Sequence, residues 1–88
     1  MDRIDLFRIF TRVVECANFT RAADTLGMPR SSVSAAIQEL EGRVGARLLN
    51  RTTRNVSPTE AGERLLQTVG PRIEEIEAEM AALRSLGE

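Results

Sequence analysis

An arginine at 30, serines at 31 and 34, an alanine at 35 and a glutamine at 38 share one face if the stretch around them is helical. No acid interrupts them before Glu39. Arginine and glutamine can pair bidentately with guanine and adenine, and serine hydroxyls and first-turn N–H groups suit phosphate oxygens. A solvated helix face usually mixes acids with bases. A face pressed against phosphates and base edges should exclude carboxylates. Two further arginines, Arg51 and Arg54, follow in a turn-rich stretch, where a tip arginine can enter the negative minor groove. The plain alternatives are a solvated helix face and solvated loop arginines. Catalytic chemistry has little to draw on: the chain has no histidine, a single cysteine and no glycine-rich phosphate loop. The commonest general base and the usual metal sets are therefore missing, and the expectation is a protein that is not an enzyme and uses no metal or cofactor.

The elements that must hold such a face lie between Asn18 and Gly45. Thr20 reads as an N-cap and as a residue at the nucleic-acid surface. Ala22, Ala23 and Leu26 give a short apolar face, and Gly27 follows where a left-handed residue stops a helix. Pro29 is tolerated at the start of a second helix, expected from about Arg30 to Val44 with Val33, Ala36, Ile37, Leu40 and Val44 buried and Gly45 closing it. A small residue at 23, a glycine at 27 and a β-branched residue at 33 suit two helices that cross through a short corner. These are the marks of a helix-turn-helix over about 19–38. The alternative is a generic helical hairpin.

The flanks complete a small domain. Asp2 or Asp5 can cap a supporting helix running to about Ala17, with Leu6, Phe10, Val13, Val14 and Ala17 on one face and Phe7 and Ile9 beside it. Asn18 breaks it, and Phe19 plugs the core ahead of the next helix. After Gly45, two short segments over about 46–57 read as a β-hairpin wing, with Arg54 near its tip and Arg51 at its base. Ser57-Pro58-Thr59-Glu60 then clusters helix-start signals, with Ser57 and Thr59 as rival caps. One helix could extend from there to about Leu86, roughly 40 Å at 1.5 Å per residue. Leu66, Val69, Ile73, Ile76, Met80 and Leu83 alternate at spacings of three and four, the seam of a coiled coil, and a second chain should cover it. Gly70-Pro71 should bend that helix without breaking it.

The overall charge of −1 conceals a division. Residues 20–57 carry Arg21, Arg30, Arg43, Arg47, Arg51 and Arg54 against Asp24, Glu39 and Glu41, a net of +3. Residues 58–88 carry Arg64, Arg72 and Arg84 against seven glutamates, a net of −4. Partners respond to such local fields. Cys16 reads as a buried small hydrophobe in a reducing compartment, and neither a signal peptide nor a membrane-spanning run is evident.

The stretch NFTRAADTLGMPRSSVSAAIQELEGRVGARLLNRTTRNVSPTEAG resembles the N-terminal segment of LysR-type transcriptional regulators over about residues 1–62. The resemblance implies a mainly α fold: a winged helix-turn-helix of three helices plus a small hairpin over 1–59, then a linker and dimerisation helix over 60–88. It implies sequence-specific binding to promoter DNA as a homodimer in the cytoplasm, with tetramers possible in a longer protein. It further implies a small-molecule inducer acting through an effector domain that this chain lacks. By motif, Arg30, Ser31, Ser32, Ser34 and Ala35 fall where the recognition helix meets DNA, Arg54 falls at the wing arginine, and Thr59 at the usual linker-helix cap. Pro29-Arg30 stands where Ser-Gln is frequent, Ala35 where a basic residue is common, and Pro58 where an aliphatic residue is usual. The rival from another class is a protein-docking winged-helix module that dimerises without reading DNA, with an RNA-binding winged helix as a third reading.

Overall fold

Asp2 opens the first helix: its carboxylate accepts from the Asp5 N–H at 2.9 Å, and α1 runs Arg3–Cys16. The helix ends on Ala17, which sits in the left-handed region at φ 54 and ψ 28 and shares its N–H between Val13 and Val14 carbonyls. Ala17 was expected on the buried face and as part of the helix. It is exposed instead, because a left-handed residue turns the chain away from the helix surface. The computed structural model describes residues 1–51 and 55–87. Its elements follow as α2 Phe19–Leu26, α3 Arg30–Val44, β1 Leu49–Arg51, β2 Val56–Pro58 and α4 Glu60–Leu86.

Asn18, not Thr20, caps α2: its side-chain oxygen accepts from the Arg21 N–H at 2.8 Å. Asparagine is at least as good a cap as threonine, and taking the cap two residues earlier brings Phe19 into the helix as its first residue. The corner is built as expected. Gly27 has φ 67, and the Met28 N–H reaches back to the Ala23 carbonyl at 3.1 Å, the paired closure that a left-handed glycine permits. Pro29 is the N-cap of α3 and offers no side-chain bond. Gly45 closes α3 at φ 79.

The core lies where α1, α2 and α3 meet, around Leu6, Phe10, Val13, Ala22, Val33 and Ile37, and Leu48 and Leu49 seal it from the wing side. The α3 stripe is Val33, Ala36, Ile37 and Leu40. Val44 was expected in it and is 46% exposed, because the last turn of α3 runs past the small core.

The wing is one antiparallel pair with Leu49 opposite Pro58, Asn50 opposite Ser57 and Arg51 opposite Val56. Pro58 and Ser57 therefore belong to β2 and not to a helix start. Thr59 is the N-cap of α4, accepting from the Gly62 N–H at 3.1 Å. Arg51 stands at the turn end of its strand, opposite the expectation that it marks the base of the wing. Arg54 lies outside the described residues. Helix α4 continues unbroken through Pro71.

Candidate nucleic-acid interface

At roughly 100° per residue, Arg30, Ser31, Ser34, Ala35 and Gln38 occupy about 140° of the α3 surface, opposite the buried stripe. Arg30, Ser31, Ala35 and Gln38 are exposed, and Ser32 and Ser34 are half-buried at the margins. Two acids of α3 are drawn away from this face. Glu39 pairs with Arg43 at 2.6 Å. Glu41 turns toward the wing, accepting from the Leu48 N–H at 2.8 Å, with Arg47 at 3.8 Å. The face thus presents hydroxyls, an amide and a guanidinium without a competing carboxylate.

These polar groups also lack internal work. Elsewhere on the helices, Thr11, Thr25 and Thr68 donate to carbonyls one turn back, at 3.0, 2.9 and 2.7 Å. Among the described residues, the side chains of Thr20, Ser31, Ser32, Ser34 and Gln38 form no such bond. Because Asn18 does the capping, the exposed Thr20 hydroxyl carries no capping duty. At the first turn of α3 the proline cap leaves the foremost N–H groups without a side-chain acceptor, and such groups attract anions.

The wing is brought to the same region through one ring. The guanidinium carbon of Arg51 lies 4.9 Å from the Phe19 ring centroid, and that of Arg30 lies 5.8 Å from it. The structure therefore gathers Arg30 and Arg51 at the starts of α2 and α3. Sequence reasoning placed Phe19 in the core, where it is 6% exposed, but missed this contact. No local pattern could reveal it, since Arg51 is 32 positions further on.

The seam of α4 divides in two. Leu66 and Val69 are half-buried against the core, and Ile73 is 9% exposed. Ile76, Met80 and Leu83 are 51%, 56% and 54% exposed. Among the described residues, the farthest ion pair between α4 and the body joins Arg8 to Glu77. Among the described residues, no helix is long and apolar enough to cross a membrane, and no cluster of His, Cys, Asp or Glu could hold a metal.

An acid-free helix face set behind a glycine corner, with a hairpin wing beside it, defines a winged helix-turn-helix regulator. Residues 4–63 match the bacterial regulatory helix-turn-helix proteins of the lysR family, and the chain belongs to that family. A putative transcriptional regulator of Pseudomonas aeruginosa PAO1 is 53% identical over 77 residues, covering 88% of this chain and 25% of the relative. The HTH-type transcriptional regulator PgrR of Escherichia coli K12 is 49% identical over 77 residues, covering 88% of this chain and 26% of that protein. The chain thus spans about a quarter of the length of these relatives. A crystal structure of a BenM DBD/catB site 1 DNA complex matches with a TM-score of 0.90 at 29% identity, over 99% of this chain and 98% of that one.

Proposed function

We propose that this chain is the DNA-binding portion of a LysR-type transcriptional regulator, and that two copies together read double-stranded promoter DNA. The observation that carries the reading is the α3 face, where Arg30, Ser31, Ser34 and Gln38 stand with no free carboxylate among them. Residues 1–59 form the reading head, and 60–88 form the linker through which two heads pair. The exposed Ile76, Met80 and Leu83 supply the pairing surface. The DNA held by the matching BenM domain supports the same partner here.

In this reading α3 enters the major groove, Arg30 and Gln38 address base edges, and the serines with Thr20 meet phosphates. Ala35 makes an apolar contact such as a thymine methyl accepts, in place of a charged contact. Arg51 and Arg54 approach the adjacent backbone and minor groove. A dimer neutralising roughly eight phosphates would show a log–log salt slope of about −7. Half-sites would lie about one helical turn apart, or a multiple of it. The protein works in the cytoplasm on chromosomal DNA and performs no catalysis. Any small-molecule inducer acts through a domain outside this chain.

The test is anisotropy or gel-shift titration of purified protein with duplexes selected from a random pool, repeated for Arg30→Ala and Arg54→Ala. Weakened binding by both variants supports the assigned surface. Unchanged binding by both rejects it. A protein-docking module would show no salt-dependent affinity for duplex at all.

A further inference from the structure

We propose that Phe19 is a positioning residue for nucleic-acid binding: its ring fixes Arg30 of the reading helix and Arg51 of the wing as one cationic pair that meets DNA together, Arg30 in the groove and Arg51 at the adjacent backbone. This rests on the DNA-binding reading above.

Four arginines of the described structure, Arg8, Arg12, Arg43 and Arg47, are each matched with a glutamate. Arg30 and Arg51 are matched with none among the described residues. They are held by a neutral aromatic ring, which attracts a cation through its quadrupole and leaves the charge uncompensated. The ring is itself buried. Phe19 is 6% exposed, part of the hydrophobic core, and the first residue of α2. Both guanidinium carbons lie near one centroid, so they can be no further apart than the sum of the two distances, 10.7 Å. Two like charges held that close repel each other, and an anion brought near both relieves the repulsion. The ring also spans elements distant in sequence: the reading helix and the wing are set against each other before DNA arrives, so less side-chain freedom is lost on binding.

The experiment uses the purified chain and a fluorescently labelled duplex of mixed sequence, followed by anisotropy at fixed salt. Phe19→Leu keeps an apolar core residue and removes the ring. It is expected to bind about tenfold more weakly, equivalent to about 1.4 kcal/mol, while its far-ultraviolet circular dichroism matches the parent. Phe19→Tyr keeps the ring face and should restore binding to within about twofold. In the double variant Phe19→Leu/Arg51→Ala the two losses should not add, because both remove one interaction. A folded Phe19→Leu with parental affinity, or additive losses in the cycle, would overturn the proposal. Should Phe19→Leu fail to fold, nuclear magnetic resonance of the parent decides. Ring-current shifts on the side-chain protons of both arginines support the arrangement, and their absence sinks it. If the parent binds no duplex, the DNA reading itself fails, and the ring-current shifts still report on the geometry.

Discussion

Two helical glycines, Gly42 and Gly62, should respond to the same substitution with opposite sign. A Cβ built on Gly62 would sit 2.2 Å from the Leu48 carbonyl oxygen and 3.2 Å from the Pro58 Cβ. That carbonyl cannot easily retreat. It accepts from the Thr59 N–H at 3.0 Å, and the Leu48 N–H is tied to Glu41 at 2.8 Å. Relieving the overlap needs a shift of about 1 Å, enough to break the Thr59 bond. Overpacking costs about 1–3 kcal/mol, and a part-buried hydrogen bond lost costs about as much again. The better helix propensity of alanine returns about 0.9 kcal/mol. Gly62→Ala should therefore destabilise by about 3 kcal/mol, lowering Tm by roughly 12–24 °C in a domain of this size. At Gly42 a built Cβ meets nothing within 4 Å, so Gly42→Ala should gain about 0.8 kcal/mol from propensity alone. Thermal melts by circular dichroism, at one protein concentration because association shifts Tm, compare the two. A Gly62→Ala variant as stable as Gly42→Ala would refute the reasoning, because it would mean that the α4–wing contact yields at no cost.

Ala17→Gly should raise stability by about 0.5 kcal/mol, since relief of the left-handed strain exceeds the added unfolded-state entropy; a lower Tm would contradict it. Glu41→Ala should cost about 2 kcal/mol by stranding the part-buried Leu48 N–H, and Glu41→Gln less, because an acceptor remains; urea titration separates them, and an unchanged midpoint for the alanine variant would contradict the role. Replacing Ile76, Met80 and Leu83 together by glutamine should convert a dimer to a monomer in light scattering while leaving the head folded. A dimer that survives this change would place the pairing surface elsewhere.

Much of the fold was legible because its signals are local. Gly27 and Gly45 stop helices for a steric reason that one residue carries, and spacing gives the α3 stripe from Val33 to Leu40 while overextending it to Val44. Several errors lie where two residues compete for one duty. Asn18 and Thr20 can each cap α2, and Ala17 can end α1 left-handed as well as continue it, so single-residue preference could not choose. Arg51 was placed at the base of the wing although the turn-like stretch 52–55 follows it directly, and the pairing of Arg51 with Val56 sets it at the turn end. The candidate face on α3 was readable from its lack of acids, although Glu41 lies on the same side by helical angle. Only its bond to Leu48 explains why it does not spoil the face. The convergence of Arg30 and Arg51 on Phe19 required tertiary structure.

The bonds around Thr59 tie the start of α4 to both the wing and α3. The Thr59 hydroxyl donates to the Arg47 carbonyl at 2.6 Å and accepts from the Gly62 N–H, while its own N–H meets the Leu48 carbonyl. The start of α4 is thereby fixed to the short segment between α3 and β1, and Glu41 fixes that same segment to α3. A displacement of α4 must therefore move the wing and the end of α3 together, or break bonds to Leu48. Toward its other end α4 is held by less: beyond the Arg8–Glu77 pair, Met80 and Leu83 are more than half exposed. In the dimer proposed above, a helix clamped at one end and open at the other sets the separation of the two heads, because a partner seated on the open part acts through this junction of short hydrogen bonds.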